Sequence, residues 1–191
     1  MCRQQQKGFN LIETTVVLGI IGLVIGGIWT AADSIIQSQR INNTAAGIIQ
    51  LANGARRLFS ISDYPSSYGT TTYVISTAAA AGILPADFKY TGGAGQSPMG
   101  GRVTMGLTCW SACPMLVIYV YGSASSGGMT RAECIQLIRR FAGLSRDRAD
   151  LIQVNVIANN TTATTFSVPI NPQTVDCPTS TTTSFEFYFR P

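Results

Sequence analysis

Residues 14–32, TTVVLGIIGLVIGGIWTAA, make a run of 19 positions without a charge. As a helix rising about 1.5 Å per residue, the run reaches roughly 28 Å, close to the thickness of a bilayer's hydrocarbon core. A cleaved secretory signal is the competing reading, and a weak small-residue site stands near Thr30-Ala31-Ala32. The apolar run is long for a signal sequence, and it continues without proline into a further helical pattern, which favours a retained span. Arg3 and Lys7 precede the run and Asp33 is the first charge after it. The positive flank stays in the cytoplasm, so the C-terminal bulk is expected outside.

Beyond Asp33, the apolar residues Ile41, Ala45, Ile48, Ala52, Ala55 and Phe59 recur in steps of four and three. Such a stripe lies on one helix face. Gln37, Gln39, Arg40, Asn42, Asn43 and Arg56 fall on other faces. Span and stripe together predict one helix over about 10–60, ended by Tyr64-Pro65-Ser66-Ser67. Its first half would lie in lipid and its second half would pack on a domain.

The chain has 191 residues, no histidine and a formal charge of +4. Without histidine, the usual general base, the Ser-His triads and most zinc sites are absent. The basic residues come singly or in pairs, which does not make a nucleic-acid groove. Cys109, Cys113, Cys134 and Cys177 lie in the C-terminal half, with Cys2 alone at the start. In an oxidising space the four would form two disulfides, by one of three pairings. A zinc site built from all four of these cysteines matches the ligand count but suits the cytoplasm better. The C-x-x-x-C spacing of Cys109 and Cys113 differs from the two-residue spacing of redox and zinc motifs.

After Ser60 the texture turns to Gly, Ser, Thr and Tyr. Residues 71–76 read as a short strand or extended entry, 77–84 as a short helix stopped by Pro85, and 92–101 as a glycine-rich loop. That loop lacks a Walker lysine and a following helix signal, so it is not a phosphate cradle. Residues 115–121 (MLVIYVY) read as a buried strand and 123–128 as a turn. Thr130 to Glu133 match a capping box opening a helix to Phe141, with Gly143 past its end. Residues 151–157 and 184–189 alternate as strands, and 163–168 pair nearby. Phe185, Phe187 and Phe189 share one side. The expectation is an α+β fold: a mostly antiparallel sheet of about four or five strands on the outer half of the long helix.

The N-terminal pattern Gly8-Phe9-Asn10-Leu11-Ile12-Glu13, run directly into an uncharged helix, resembles type IV pilins and their relatives. The resemblance is strong from Lys7 to about Phe59 and architectural beyond. It implies that a prepilin peptidase cuts between Gly8 and Phe9 and that the new Phe9 amine is methylated. The leader 1–8 would be lost, taking Arg3 and Lys7 and lowering the formal charge from +4 to +2. Residues 9–32 would be the transmembrane and assembly half of the helix, 33–60 its amphipathic half, and 61–191 a periplasmic or extracellular head. The missing proline near the end of the span and the texture of 17–24 and 31–39 resemble the type IVb branch, which includes toxin-coregulated and conjugative thin pili. The short leader and a first mature phenylalanine are type IVa features. By the same resemblance Cys134 pairs with Cys177, closing the C-terminal region as in type IVb pilins. Cys109–Cys113 would then close a small loop.

The resemblance also gives Glu13 a role in directing assembly. A carboxylate at a membrane helix centre costs about 2.5–3.5 kcal/mol on insertion scales, and less near an end. Unpaired among packed helices it would cost far more. A neighbouring subunit's Phe9 amine is the natural partner. Gly22 and Gly26 stand at a small-xxx-small spacing that permits close helix approach. The implied partners are further copies of the chain through their N-terminal helices, the peptidase, the inner-membrane assembly machinery and, before assembly, the membrane. No cofactor, metal or high-affinity nucleic acid is expected, and no catalysis. The alternatives are a type II secretion pseudopilin, whose acidic calcium loop has no counterpart in this tail, a minor tip pilin, or a membrane-anchored enzyme. The last would draw on the carboxylates of Arg146-Asp147-Arg148-Ala149-Asp150, which read more simply as salt-linked surface.

Overall fold

A computed structural model describes residues 11–109, 114–123, 129–142, 150–158, 161–178 and 182–191, the side chains of 123, 161–163, 182 and 183 excepted. The chain divides into two compact units, Met1–Gln39 and Arg40–Pro191. Helix α1 spans Leu11–Leu58, a proline-free stretch, so its residues belong partly to each unit. It stops two residues before the expected end. Ser60 then opens a 3-10 turn, Ile61–Asp63, in which its backbone N–H and hydroxyl both donate to the Asp63 carboxylate at 2.7 and 2.9 Å.

In the second unit, α1 buries Ile41, Thr44, Ala45, Gly47, Ile48, Leu51, Ala52 and Ala55. This is the predicted stripe, with Thr44, Gly47 and Leu51 filling its width; Phe59 packs at its edge. The Thr44 hydroxyl is buried without penalty because it donates to the Arg40 carbonyl one turn back. Two glycines admit bulk from outside the helix. A side chain on Gly47 would collide with the ring of Phe88, and one on Gly54 would come within 3.0 Å of Ile83.

The sheet has eight strands, more than the four or five expected: β1 Thr71–Tyr73, β2 Lys89–Thr91, β3 Ala94–Gln96, β4 Gly101–Thr108, β5 Met115–Ser123, β6 Leu151–Ala158, β7 Thr161–Ser167 and β8 Thr182–Phe189. Their order is β2-β3-β4-β5-β8-β6-β7, with β1 paired to β4, and every pairing is antiparallel. The last strand in sequence therefore lies between β5 and β6, where both its edges are bonded.

The extra strands β2, β3 and β4 lie in and beside the stretch 92–101 that was expected to be a loop, which instead contains β3. Gly92 and Gly93, at φ 61° and 82°, link Thr91 directly to Ala94, as a tight two-residue hairpin requires. Strand β4 carries two glycines that weaken its strand signal in sequence, and each has a steric reason. A side chain on Gly101 would occupy the position of the Tyr121 carbonyl, and one on Gly106 would meet the Thr71 methyl at 2.6 Å.

The short helix, α2, is Ile75–Ala80, earlier than the 77–84 expected. It ends at Gly82 rather than at Pro85. Gly82, at φ 70°, donates to the Ala79 carbonyl and Ile83 donates to that of Ala78, the pair of bonds that closes a helix with a left-handed residue. Helix α3, Arg131–Ala142, begins as the capping box predicted. The Thr130 N–H donates to Glu133 at 2.8 Å, and the Glu133 N–H donates back to the Thr130 hydroxyl at 3.3 Å. Of the turn expected at 123–128, Ser123 instead ends β5, and 124–128, like Gly143, lie outside the described residues.

Cross-strand rows assemble the core. Val103, Val120, Phe185 and Val156 are neighbours in one row; Met105, Ile118, Phe187 and Val154 in the next; Leu107, Leu116, Phe189 and Leu151 in a third. All twelve are buried at 1% exposure or less. Cys134, Leu137, Ile138 and Phe141 of α3 join that core with the α1 stripe, and the Phe141 and Phe187 rings lie 4.7 Å apart. Arg56 of α1 adds a polar tie, donating to the Arg190 carbonyl and pairing with Asp150 at 2.9 Å. Burying side chains of this size contributes about 1.5–3 kcal/mol each, so the rows dominate the polar tie energetically.

Candidate membrane and assembly segment

The first unit presents apolar side chains on every face of α1. Leu11 is 79% exposed, Leu23 80% and Trp29 73%, and Val16, Leu18, Ile20, Ile28 and Ile35 are also open. The helix is long and apolar enough to cross a membrane, and none of its most apolar stretch is buried within the chain. A helix apolar all round is unstable against water and requires lipid or other protein around it.

The few polar groups of this stretch are turned inward onto the helix itself. Thr14, Thr15, Thr30 and Ser34 donate their hydroxyls to the carbonyls of Leu11, Ile12, Gly27 and Ala31, at 2.8 to 2.9 Å. A hydroxyl bonded in this way keeps its donor satisfied in an apolar medium, where a free one would be costly. Gly19, Gly22, Gly26 and Gly27 differ from Gly47 and Gly54. Among the described residues, nothing beyond the helix's own neighbouring backbone lies within 4 Å of a side chain built on any of the four.

Glu13 is the one charged residue of α1 before Asp33. It stands in the first turn and is exposed. The positive end of the helix dipole favours a carboxylate in a first turn by about 0.3–1 kcal/mol at an exposed site. Gly8 and Phe9 lie outside the described residues, as does Cys113, the partner expected for Cys109. Cys109 is buried just past the end of β4. Cys134 and Cys177 are joined by a disulfide whose Cα atoms are 6.3 Å apart. Beside it, Arg131 donates to the Cys177 carbonyl at 3.0 Å and to Asp176. This guanidinium holds the Asp176 carboxyl below its ordinary range.

Of the charge-alternating run 146–150, only Asp150 is described, and it pairs with Arg56. Among the described residues no group of three or more His, Cys, Asp or Glu side chains is placed to hold a metal. Sequence reasoning missed the polar outer face of the sheet. There Asn155 and Tyr188 donate to Glu186 at 3.1 and 2.8 Å, and Gln153 and Thr165 donate to Asn155. The alternation of 151–157 and 184–189 was its sequence signal. No family model, curated protein or solved structure matches the chain.

Proposed function

We propose that this chain is a pilin subunit: inserted in the inner membrane, trimmed between Gly8 and Phe9, and polymerised through its N-terminal helix into an extracellular fibre. The observation that carries the reading is the stretch of α1 from Leu11 to Ala32, with its large apolar side chains exposed and Glu13 in the first turn as its one charge. Such a surface needs one environment before assembly and an equivalent one after it. Lipid supplies the first and the helices of other copies supply the second.

Glu13 sets the register in this reading. Before assembly it sits near the membrane boundary. Among packed helices it is tolerable only beside a cation, and peptidase cleavage creates one at the α-amino group of a neighbour's Phe9. The unfilled space around Gly19, Gly22, Gly26 and Gly27 supports close approach by other helices. The subunit does no chemistry; it works with the prepilin peptidase and the membrane assembly machinery, takes no cofactor and binds no nucleic acid at high affinity.

The test is intact-mass analysis of protein sheared from the cell surface. The expected mass is that of 9–191 plus one methyl group, less the hydrogens lost to two disulfides. A full-length cytosolic species with free thiols would overturn the reading. Glu13→Ala should still enter the membrane yet fail to form fibres; normal fibres from that variant would remove the register role.

A further inference from the structure

A second site lies in the head, on a different part of the molecule from the apolar helix. Tyr73, Ile75, Gly93, Arg102, Thr104 and Tyr121 enclose a cleft of about 400 Å³. Small-molecule sites run from roughly 300 to 1,000 Å³. The cleft is built by pairing: β1 lies against β4 with Tyr73 opposite Gly106, and β4 lies against β5 with Thr104 opposite Tyr119. The Tyr73 and Tyr119 rings are 6.0 Å apart, which steadies the Tyr73 wall. The hairpin turn at Gly93 and the irregular pairing between Gly101 and Val103 bring the other walls together.

Several of its groups are open to a ligand. Thr104 is 6% exposed, yet among the described residues its hydroxyl has no hydrogen-bond partner. Four residues along the same strand, the Thr108 hydroxyl is fully engaged, donating to the Thr70 carbonyl and accepting from Thr71. Arg102 is exposed, and no carboxylate among the described residues pairs with it. Tyr73 and Tyr121 are 61% and 36% exposed, so their rings are open to contact. Buried polar groups are normally satisfied, and an orphan in a cleft points to a bound group.

We infer that this cleft binds a carboxylated sugar ring, of the kind found as a hexuronate unit in acidic surface polysaccharides. The planar guanidinium of Arg102 suits a carboxylate, which it can grip with two parallel bonds. A single cation matches a monoanion better than a doubly charged phosphate. The tyrosine walls offer aromatic faces to the C–H side of a sugar ring, and the hydroxyls of Thr104 and the tyrosines suit a ring that carries its own hydroxyls. A purely apolar ring would leave the Thr104 hydroxyl unpaired.

The test uses the full chain in a detergent without sugar headgroups, and it needs neither cleavage nor fibres, so its outcome is independent of the fibre reading. Saturation-transfer NMR would be run with methyl glucuronoside, methyl glucoside and acetate. The glucuronoside should bind saturably and at least tenfold more tightly than either of the others. Arg102→Gln should weaken it about tenfold and Tyr73→Ala about fivefold. Thr104→Val, which removes the hydroxyl and keeps the shape, should weaken it several-fold while the melting temperature holds or rises. Absence of saturable glucuronoside binding would overturn the inference. So would acetate binding as tightly, which would make this a simple anion site, or glucoside binding as tightly with no effect of Arg102→Gln.

Discussion

The ring of Phe88 occupies the space that a side chain on Gly47 would need, so the head is closed onto the helix at a point where the helix has no side chain. Phe88 is 4% exposed and belongs to the core. Replacing a helical glycine by alanine ordinarily gains about 1 kcal/mol. Here the added methyl must displace a packed ring, which costs about 1–3 kcal/mol. Gly47→Ala should therefore lower the melting temperature of the head, while Gly22→Ala, with nothing within 4 Å, should leave it unchanged. Thermal unfolding of the two variants side by side checks the contrast.

The Cys134–Cys177 bond joins residues 43 apart in sequence. On the chain-entropy account, closing a loop of that length stabilises by about 4 kcal/mol, chiefly by restricting the unfolded chain. The double variant Cys134→Ala, Cys177→Ala should lose stability of that order in urea unfolding. Its urea dependence should steepen, because the freed chain exposes more surface when it unfolds.

Helix α3 depends on a reciprocal cap. Thr130→Ala removes the acceptor for the Glu133 N–H, and Glu133→Ala removes the acceptor for the Thr130 N–H and hydroxyl. Each should cost about 0.5–2 kcal/mol. The double variant should cost less than the sum, since both changes break one shared network. A double-mutant cycle by chemical unfolding measures the difference.

Alkali should unfold the head through two tyrosines. Burial, reinforced by the nearby charge of Glu186, raises the pKa of Tyr119 and of Tyr188 above the ordinary 10.0. In the unfolded chain both ionise at the ordinary value, so their contribution is fully present below pH 10 and is lost as the pH rises above it. Absorbance titration should find these two phenols among those that ionise only as the fold is lost. Glu186→Gln should lower both pKa values, because it removes a negative charge from beside each ring.

Much of this was legible in linear order. The uncharged run, the stripe from Ile41 to Ala55, the capping box at Thr130 and the alternating Phe185, Phe187 and Phe189 each carry a local periodic signal, and each forms the element that the signal names. Glu13 was conspicuous for the same reason, as a charge in an apolar run. The strands around the glycine-rich stretch were illegible, because glycine there meets steric demands set by distant residues. Gly101 yields to the Tyr121 carbonyl and Gly106 to the Thr71 methyl. Short strands such as β2 and β3 carry too few residues for a period to register.

Local chemistry, then, determined the elements: where a helix runs, where it is capped, and which face of a strand is apolar. Tertiary structure alone decided their company. It placed the final strand in the interior of the sheet, between β5 and β6, and brought Arg102 and Thr104 together with Tyr73 and Tyr121 around one cleft. Such juxtapositions depend on which distant segments bury each other's surface, and that is a property of the whole packed chain rather than of any window along it.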